Sequence, residues 1–557
     1  MDVRLWALCL ALGMLSSCQQ PAAAAASRRH DRGSGADRPP HIIIIVADDL
    51  GWNDVGFHGS GQVPTPNIDA LAFSGVTLDR YYVQPVCTPS RSALMTGKYP
   101  IHTGMQEHVI LAAEPYGLSL QETLMPQRLN ALGYVSHAVG KWHLGSYKKA
   151  YTPSQRGFQS HFGYWSGKKD YYDHTNEDRH GYWGYDLRRD MEEARGAFGQ
   201  YSTDLFTQKA VEKIVAHNAS RPMFLYLAHL AVHSANEYEP LQAPAASIDK
   251  FSHIADGNRR RFAGMLSKLD ESVGQVTAAL HETGMLDNSV IVFTTDNGGP
   301  AASFDFNAAS NWPLRGVKSL LWEGGVRGAG FVWSPLLKQR SYVSSNLMHI
   351  TDLLPTLLSA AGGDPGTLGD IDGIDMWSAL SNKLPSPRKE ILLNIEPSTG
   401  YRALIEGNFK FIEGSSLNEG WSGWFGPSGR NDTRYDLYQL MSTSHAGRAM
   451  RQMNMSVTED QWKTLRSQQS ITCQKKPSPR RTCLKTACLF DLLRDPCEYS
   501  DLSAAMPAVT SKLRRRMEEF QRGMVPPRNK PVDPRANPKN WGYAWVNWGD
   551  LVHPPLP

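Results

Sequence analysis

Cysteine is scarce: the chain has 7 in 557 residues, and none lies between Thr88 and Thr472. No pair of Cys-x-x-Cys elements with structural-zinc spacing occurs, so a zinc module is not indicated. Charge of one sign is scarce too. A net charge of +4 is too slight to point to nucleic acid as a partner, although it tolerates an anionic substrate. Long apolar runs are missing beyond the N-terminus, where Leu5–Leu15 is unbroken but too short to span a bilayer. No later segment could serve as a transmembrane helix. Charged residues at 20% and hydrophobic residues at 41% exclude neither helix nor sheet, but they argue against a disordered chain or a membrane-embedded body.

What is present begins with Arg4, the apolar run and the small residues Ala22–Ala26, the layout of a cleaved signal peptide over 1–26. A polar lead-in rich in Arg, Gly and Pro follows over 27–40. The expected route is the secretory pathway, ending in the lysosome or outside the cell. Leu15-Ser-Ser-Cys18 also resembles a bacterial lipoprotein cleavage box, so anchoring at Cys18 is the alternative. If Cys9 and Cys18 leave with the signal, Cys473, Cys483, Cys488 and Cys497 form an even cluster, which suggests two disulfides with three possible pairings. Cys87 is then the odd one out. An unpaired thiol in an exported chain calls for a special role. Sequons at Asn218, Asn431 and Asn454 offer glycosylation sites.

Ile42-Ile-Ile-Ile-Val46 is a continuous β-branched run, the pattern of a strand buried on both faces of a parallel sheet. Met223–Ala228 and Val290–Thr294 read the same way. Between them lie helical patterns at Gln121–Leu132, Thr203–Ala216 and Arg260–His281, giving a β/α alternation. After about residue 385 the texture changes to short segments: Ala403–Ile405, a turn at Glu406-Gly-Asn408, Phe409–Ile412 and Leu489–Leu492, then an amphipathic helix within Ala504–Arg522. The expected organisation is an α/β domain over 41–385 and a smaller C-terminal α+β domain with an antiparallel sheet over 386–557. Trp541, Tyr543, Trp545 and Trp548 read as a strap packed over the surface.

Two of the predicted strands end in oxygen ligands: Ile42–Val46 runs into Asp48-Asp49, and Val290–Thr294 into Asp296-Asn297. Ligands gather at the carboxyl ends of strands in an open α/β sheet, so these four side chains are expected to converge. Hard oxygens without neighbouring thiolate or imidazole pairs suit calcium or magnesium better than zinc.

Cys87-Thr-Pro-Ser-Arg91, continued by Thr96-Gly97, resembles the sulfatase signature, in which the cysteine is oxidised to formylglycine. Gly140-Lys-Trp-His-Leu-Gly145 is similar to the second sulfatase signature, in the expected order and separation. The segments Ala47–Gly59, Asn311-Trp-Pro-Leu-Arg-Gly316 and Leu321-Trp-Glu-Gly-Gly-Val-Arg327 look like the arylsulfatase B (N-acetylgalactosamine-4-sulfatase) group. The resemblance covers roughly His41 to Leu358 and is followed only loosely later, through Leu489-Phe-Asp-Leu-Leu-Arg-Asp495.

The resemblance implies an alkaline-phosphatase-like large sheet flanked by helices and hydrolysis of sulfate esters, with a sulfated small molecule or glycosaminoglycan as substrate. It implies one Ca2+ held by Asp48, Asp49, Asp296, Asn297 and residue 87, the last as formylglycine made by a formylglycine-generating enzyme. Arg91, Lys141, His143, His233 and Lys318 fall where the family places the groups around the sulfate. His229 competes with His233, because Ser234–Tyr238 looks inserted before Glu239-Pro-Leu-Gln242. Asp170–Arg189, dense in Tyr, Trp, His and charge, is expected to loop over the mouth and select the sugar. A phosphoesterase of the same superfamily would need further His and Asp ligands for a second metal, and none is found. The other alternative is a non-catalytic carbohydrate-binding relative.

Overall fold

The computed structural model describes residues 38–417, 420–473, 483–484 and 486–551. The expected signal peptide, Cys9, Cys18 and the lead-in up to residue 37 lie outside the described residues. From Pro39 onward the chain forms one compact unit.

Its centre is a ten-stranded sheet. Five parallel strands make the middle, in the order Ser289–Thr295, His41–Ala47, Met223–Ala228, Val135–Lys141 and Ser160–Tyr164. Antiparallel strands flank them, beginning with Gly330–Trp333 on one side and Arg188–Arg189 on the other. The β-branched run explains its central place, because every residue of His41–Ala47 is buried. Ile42, Ile44 and Val46 pack on one face with Leu94 and Leu354, and Ile43 and Ile45 on the other with Phe206 and Leu266. A strand apolar on both pleats needs helices over both.

The expected strands are found, and the helices Ser202–Val215 and Gly257–Glu282 match their periodic segments. Gln121–Leu132 is helical only over Met125–Asn130. Pro126 sets that start, because it disfavours helical geometry in the residues before it and lacks the N–H that an earlier turn would need.

A four-stranded antiparallel sheet, Glu390–Glu396, Tyr401–Glu406, Phe409–Glu413 and Cys488–Asp491, lies wholly within 386–557, with the helix Pro507–Arg522. Disulfides join Cys473 to Cys497 and Cys483 to Cys488, leaving Cys87 free and buried. The aromatic tail is a strap in part: Trp545 and Trp548 are buried, and the Trp545 indole donates to Asn176 O at 3.0 Å, whereas Tyr543 is exposed. Among the described residues, no helix is long and apolar enough to cross a membrane.

Candidate active site

The strands His41–Ala47 and Ser289–Thr295 are parallel neighbours, with Ala47 opposite Thr295. The residues that follow each strand therefore leave the sheet side by side. Asp49 takes a left-handed backbone (φ 60°) that turns the chain at this edge. Its amide donates to Asp296 Oδ1 at 3.4 Å, and its Oδ1 accepts from Asn297 Nδ2 at 2.7 Å.

Cys87 opens the helix Cys87–Thr96, and its Sγ lies 3.5 Å from Asp48 Oδ1. A helix N-terminus carries partial positive charge and suits an anion. Arg91, one turn later and fully buried, grips Asp296 Oδ2 through Nε (3.1 Å) and Nη2 (2.8 Å) and reaches Asp48 Oδ2 at 3.5 Å. Lys141 ends the strand Val135–Lys141 with Nζ 2.6 Å from Asp48 Oδ2. Lys318 Nζ sits 2.8 Å from Asp49 Oδ2 and 3.1 Å from His233 Nε2. His143, also left-handed at φ 60°, donates from Nε2 to Ile110 O at 2.9 Å, so its Nδ1 carries the lone pair, and that buried atom has no partner.

All ten residues expected at the site are thus brought to one edge of the sheet. His229 is not among them, since its Nε2 bonds Ser272 Oγ at 2.9 Å within the helical layer. A cavity of about 280 Å³ reaches Cys87, His143, His233 and Lys318. Asn176, Glu177, Asp178 and Arg179 help line it, so part of Asp170–Arg189 does border the mouth. The segment after His233 braces that wall: Tyr238 OH reaches Asp170 Oδ2 (3.1 Å) and Asp173 Oδ2 (2.9 Å).

The electrostatics follow from burial. Asp48 is pushed up to about 7, first by loss of water and then by the charge of Asp296, against the pull of Lys141 and Arg91. Burial also raises Asp49, against Lys318. Burial opposes ionisation of Asp296 as well, but Arg91 and Lys141 outweigh it and hold that carboxyl below its usual range. Burial pushes the Cys87 thiol far up and, with Lys318, holds His233 far below the usual imidazole range.

Asp48, Asp49, Cys87 and His233 each offer a ligand atom, all within 4.8 Å of one another, a group that could hold a metal ion. Asn297 Oδ1 is buried with no hydrogen-bond partner, an orphaned acceptor beside three carboxylates. An acceptor left without a donor in a carboxylate cluster fits an oxygen-seeking divalent cation.

Sequence reasoning missed Asp305, whose Oδ2 lies 2.7 Å from Lys318 Nζ. It sits in a stretch with no motif or periodicity. Ser90 was missed too. Its hydroxyl donates to the Asp296 carbonyl and ties the Cys87 helix to the Asp296-Asn297 turn.

The Sulfatase family model matches residues 40–363. Arylsulfatase J of Mus musculus is 40% identical over 529 residues, covering 93% of this chain and 82% of its own length. N-acetylgalactosamine-6-sulfatase of Homo sapiens is 32% identical over 365 residues, covering 62% of this chain and 67% of its own. Among solved structures, Ps i-CgsB in complex with k-i-k-neocarrahexaose superposes with a TM-score of 0.67 at 27% identity, over 88% of this chain and 94% of that one. A match of this extent, around a site of the geometry described, places the chain in the sulfatase family as a sulfuric ester hydrolase.

Proposed function

We propose that the protein is a calcium- and formylglycine-dependent arylsulfatase of the arylsulfatase B-like branch, acting on sulfated sugars such as N-acetylgalactosamine 4-sulfate in glycosaminoglycans. The observation that carries this reading is the meeting of Cys87 with Asp48, Asp49, Asp296 and Asn297 under a ring of Arg91, Lys141 and Lys318. Sugar chemistry is supported by the relative named for N-acetylgalactosamine 6-sulfate hydrolysis and by the related structure solved with a neocarrahexaose.

Asp48, Asp49, Asp296 and Asn297 would hold calcium, which supplies positive charge for the sulfate oxygens and for an ionising hydroxyl at residue 87. Formylglycine at residue 87 would supply the oxygen nucleophile for the sulfate ester and a way to release the bound sulfate that a cysteine lacks. The remaining work falls to the chain's own side chains. Arg91 and Lys141 fix the carboxylates around residue 87 and give the developing charge a preorganised positive wall. His143 has its Nδ1 lone pair free, because Nε2–H is spent on Ile110 O, and so serves as the base. His233 spends its Nδ1–H on Ser234 O at 2.6 Å and accepts from Lys318 at Nε2. The His233–Lys318 pair thus keeps a proton at the cavity wall for the departing alkoxide.

The test is the mass of the peptide containing residue 87, purified from cells that make formylglycine, together with turnover of an aryl sulfate against the matching aryl phosphate. An unmodified cysteine in fully active protein would sink the proposal, and so would faster phosphate turnover.

A further inference from the structure

Lys318 has two carboxylate partners, and they differ in what surrounds them. Asp49 is fully buried and tied down by Asn297, whereas the Asp305 side chain is 40% exposed at the cavity mouth and Lys318 itself only 8%. An anion entering the cavity therefore meets the Asp305–Lys318 pair before anything deeper. Asp305 rides on a loop whose ends are joined by a bridge between Ala301 and Ala309 and pinned by Asn307, which donates to Val232 O at 2.9 Å. Between those anchors Ala302 (φ 53°), Ser303 (66°), Asp305 (52°) and Phe306 (55°) all take left-handed backbone that L side chains avoid. Phe306 is exposed, while Phe304 on the other side of Asp305 packs its ring against Trp421 at 5.3 Å and anchors the loop backbone. The Asp305 carboxylate itself is held inward by its ion pair with Lys318 at 2.7 Å.

We propose that Asp305 is an affinity-setting positioning residue: its carboxylate sits on Lys318 in the resting site, is displaced by the sulfate group of an incoming ester, and returns as product sulfate leaves. The proposal rests on the reading of Lys318 as a sulfate contact. A carboxylate and a sulfate both present anionic oxygens to an ammonium, and two such anions on one lysine repel each other, so one must yield. The carboxylate on the strained, exposed loop is the one able to move. Until then it balances Lys318 and shares the nearby Lys168 with Glu177 and Glu237 on the cavity wall.

The experiment uses the full chain and inorganic sulfate, measured by calorimetry, beside steady-state turnover of a small aryl sulfate. In Asp305→Asn the sulfate dissociation constant is expected to fall about tenfold, the scale of one charge-assisted contact that no longer competes. KM should fall by a similar factor without a gain in kcat. Unchanged or weaker sulfate binding overturns the proposal, because a merely structural residue would not tighten it. Asp305→Ser repeats the measurement should the amide variant fold poorly. In Lys318→Ala sulfate binding should weaken sharply. If it does not, the reading of the site fails, whereas loss in Lys318→Ala with no gain in Asp305→Asn defeats this proposal alone.

Discussion

Burial pushes the Cys87 thiol well above its usual range and so disfavours the thiolate that a cysteine nucleophile needs. Cys87→Ala is expected to lower kcat for a small aryl sulfate by about 10⁴-fold or more while the thermal midpoint stays near that of the parent. Retention of a few per cent of activity would refute a covalent role. Cys87→Ser asks a finer question, because a serine hydroxyl can be sulfated but has no second hydroxyl to expel the sulfate. That variant should trap one sulfate per chain by intact mass. Multiple turnovers from it would count against release through a second hydroxyl. The clustered acidic residues were legible because they follow β-branched runs, and position 87 because its surroundings form a long motif. Asp305 was not, since only the folded loop brings it to a lysine thirteen residues on.

At the level of single elements, the strand Val135–Lys141 shows why its motif carries glycine. Gly140 has φ 100°, and a Cβ there would lie 1.8 Å from Ala228 O on the neighbouring strand. Gly140→Ala must push two central strands apart, directly beside Lys141 and three residues before His143. It is expected to cost about 3 kcal/mol or more in denaturant unfolding and to lower activity as well. Gly181→Ala is the control: φ is 70° but nothing lies within 4 Å, so about 1 kcal/mol of backbone cost is all that remains. Equal effects from the two would defeat the argument from close approach. Central strands were readable for a related reason, as burial on both faces leaves an unbroken apolar run. Ser160–Tyr164 was harder, because its sequence, Ser-His-Phe-Gly-Tyr, mixes polar and apolar residues in a strand that borders a short antiparallel edge.

On the scale of the whole molecule, the buried carboxylate cluster sits at the ends of two strands that run through the middle of the sheet, so its charge balance bears on the entire compact unit. Asp48, Asp49 and Asp296 are each 1% exposed or less, and burial and mutual repulsion raise Asp48 and Asp49 despite Lys141, Arg91 and Lys318. A divalent cation among them would relieve that repulsion and satisfy Asn297 Oδ1. Because only the folded chain assembles these ligands, calcium at a hundred times its dissociation constant should add about 2.7 kcal/mol to unfolding. Prolonged treatment with a calcium chelator is therefore expected to lower the thermal midpoint and abolish turnover together, and added calcium to restore both. A zinc-selective chelator should do neither, since oxygens dominate the donor set. Asp296→Ala should flatten the calcium dependence of the midpoint, apart from any loss it causes by leaving Arg91 without its closest carboxylate. Elemental analysis must accompany the melts. Protein shown to be free of calcium yet unchanged in midpoint and turnover would remove the metal from the site and the mechanism alike.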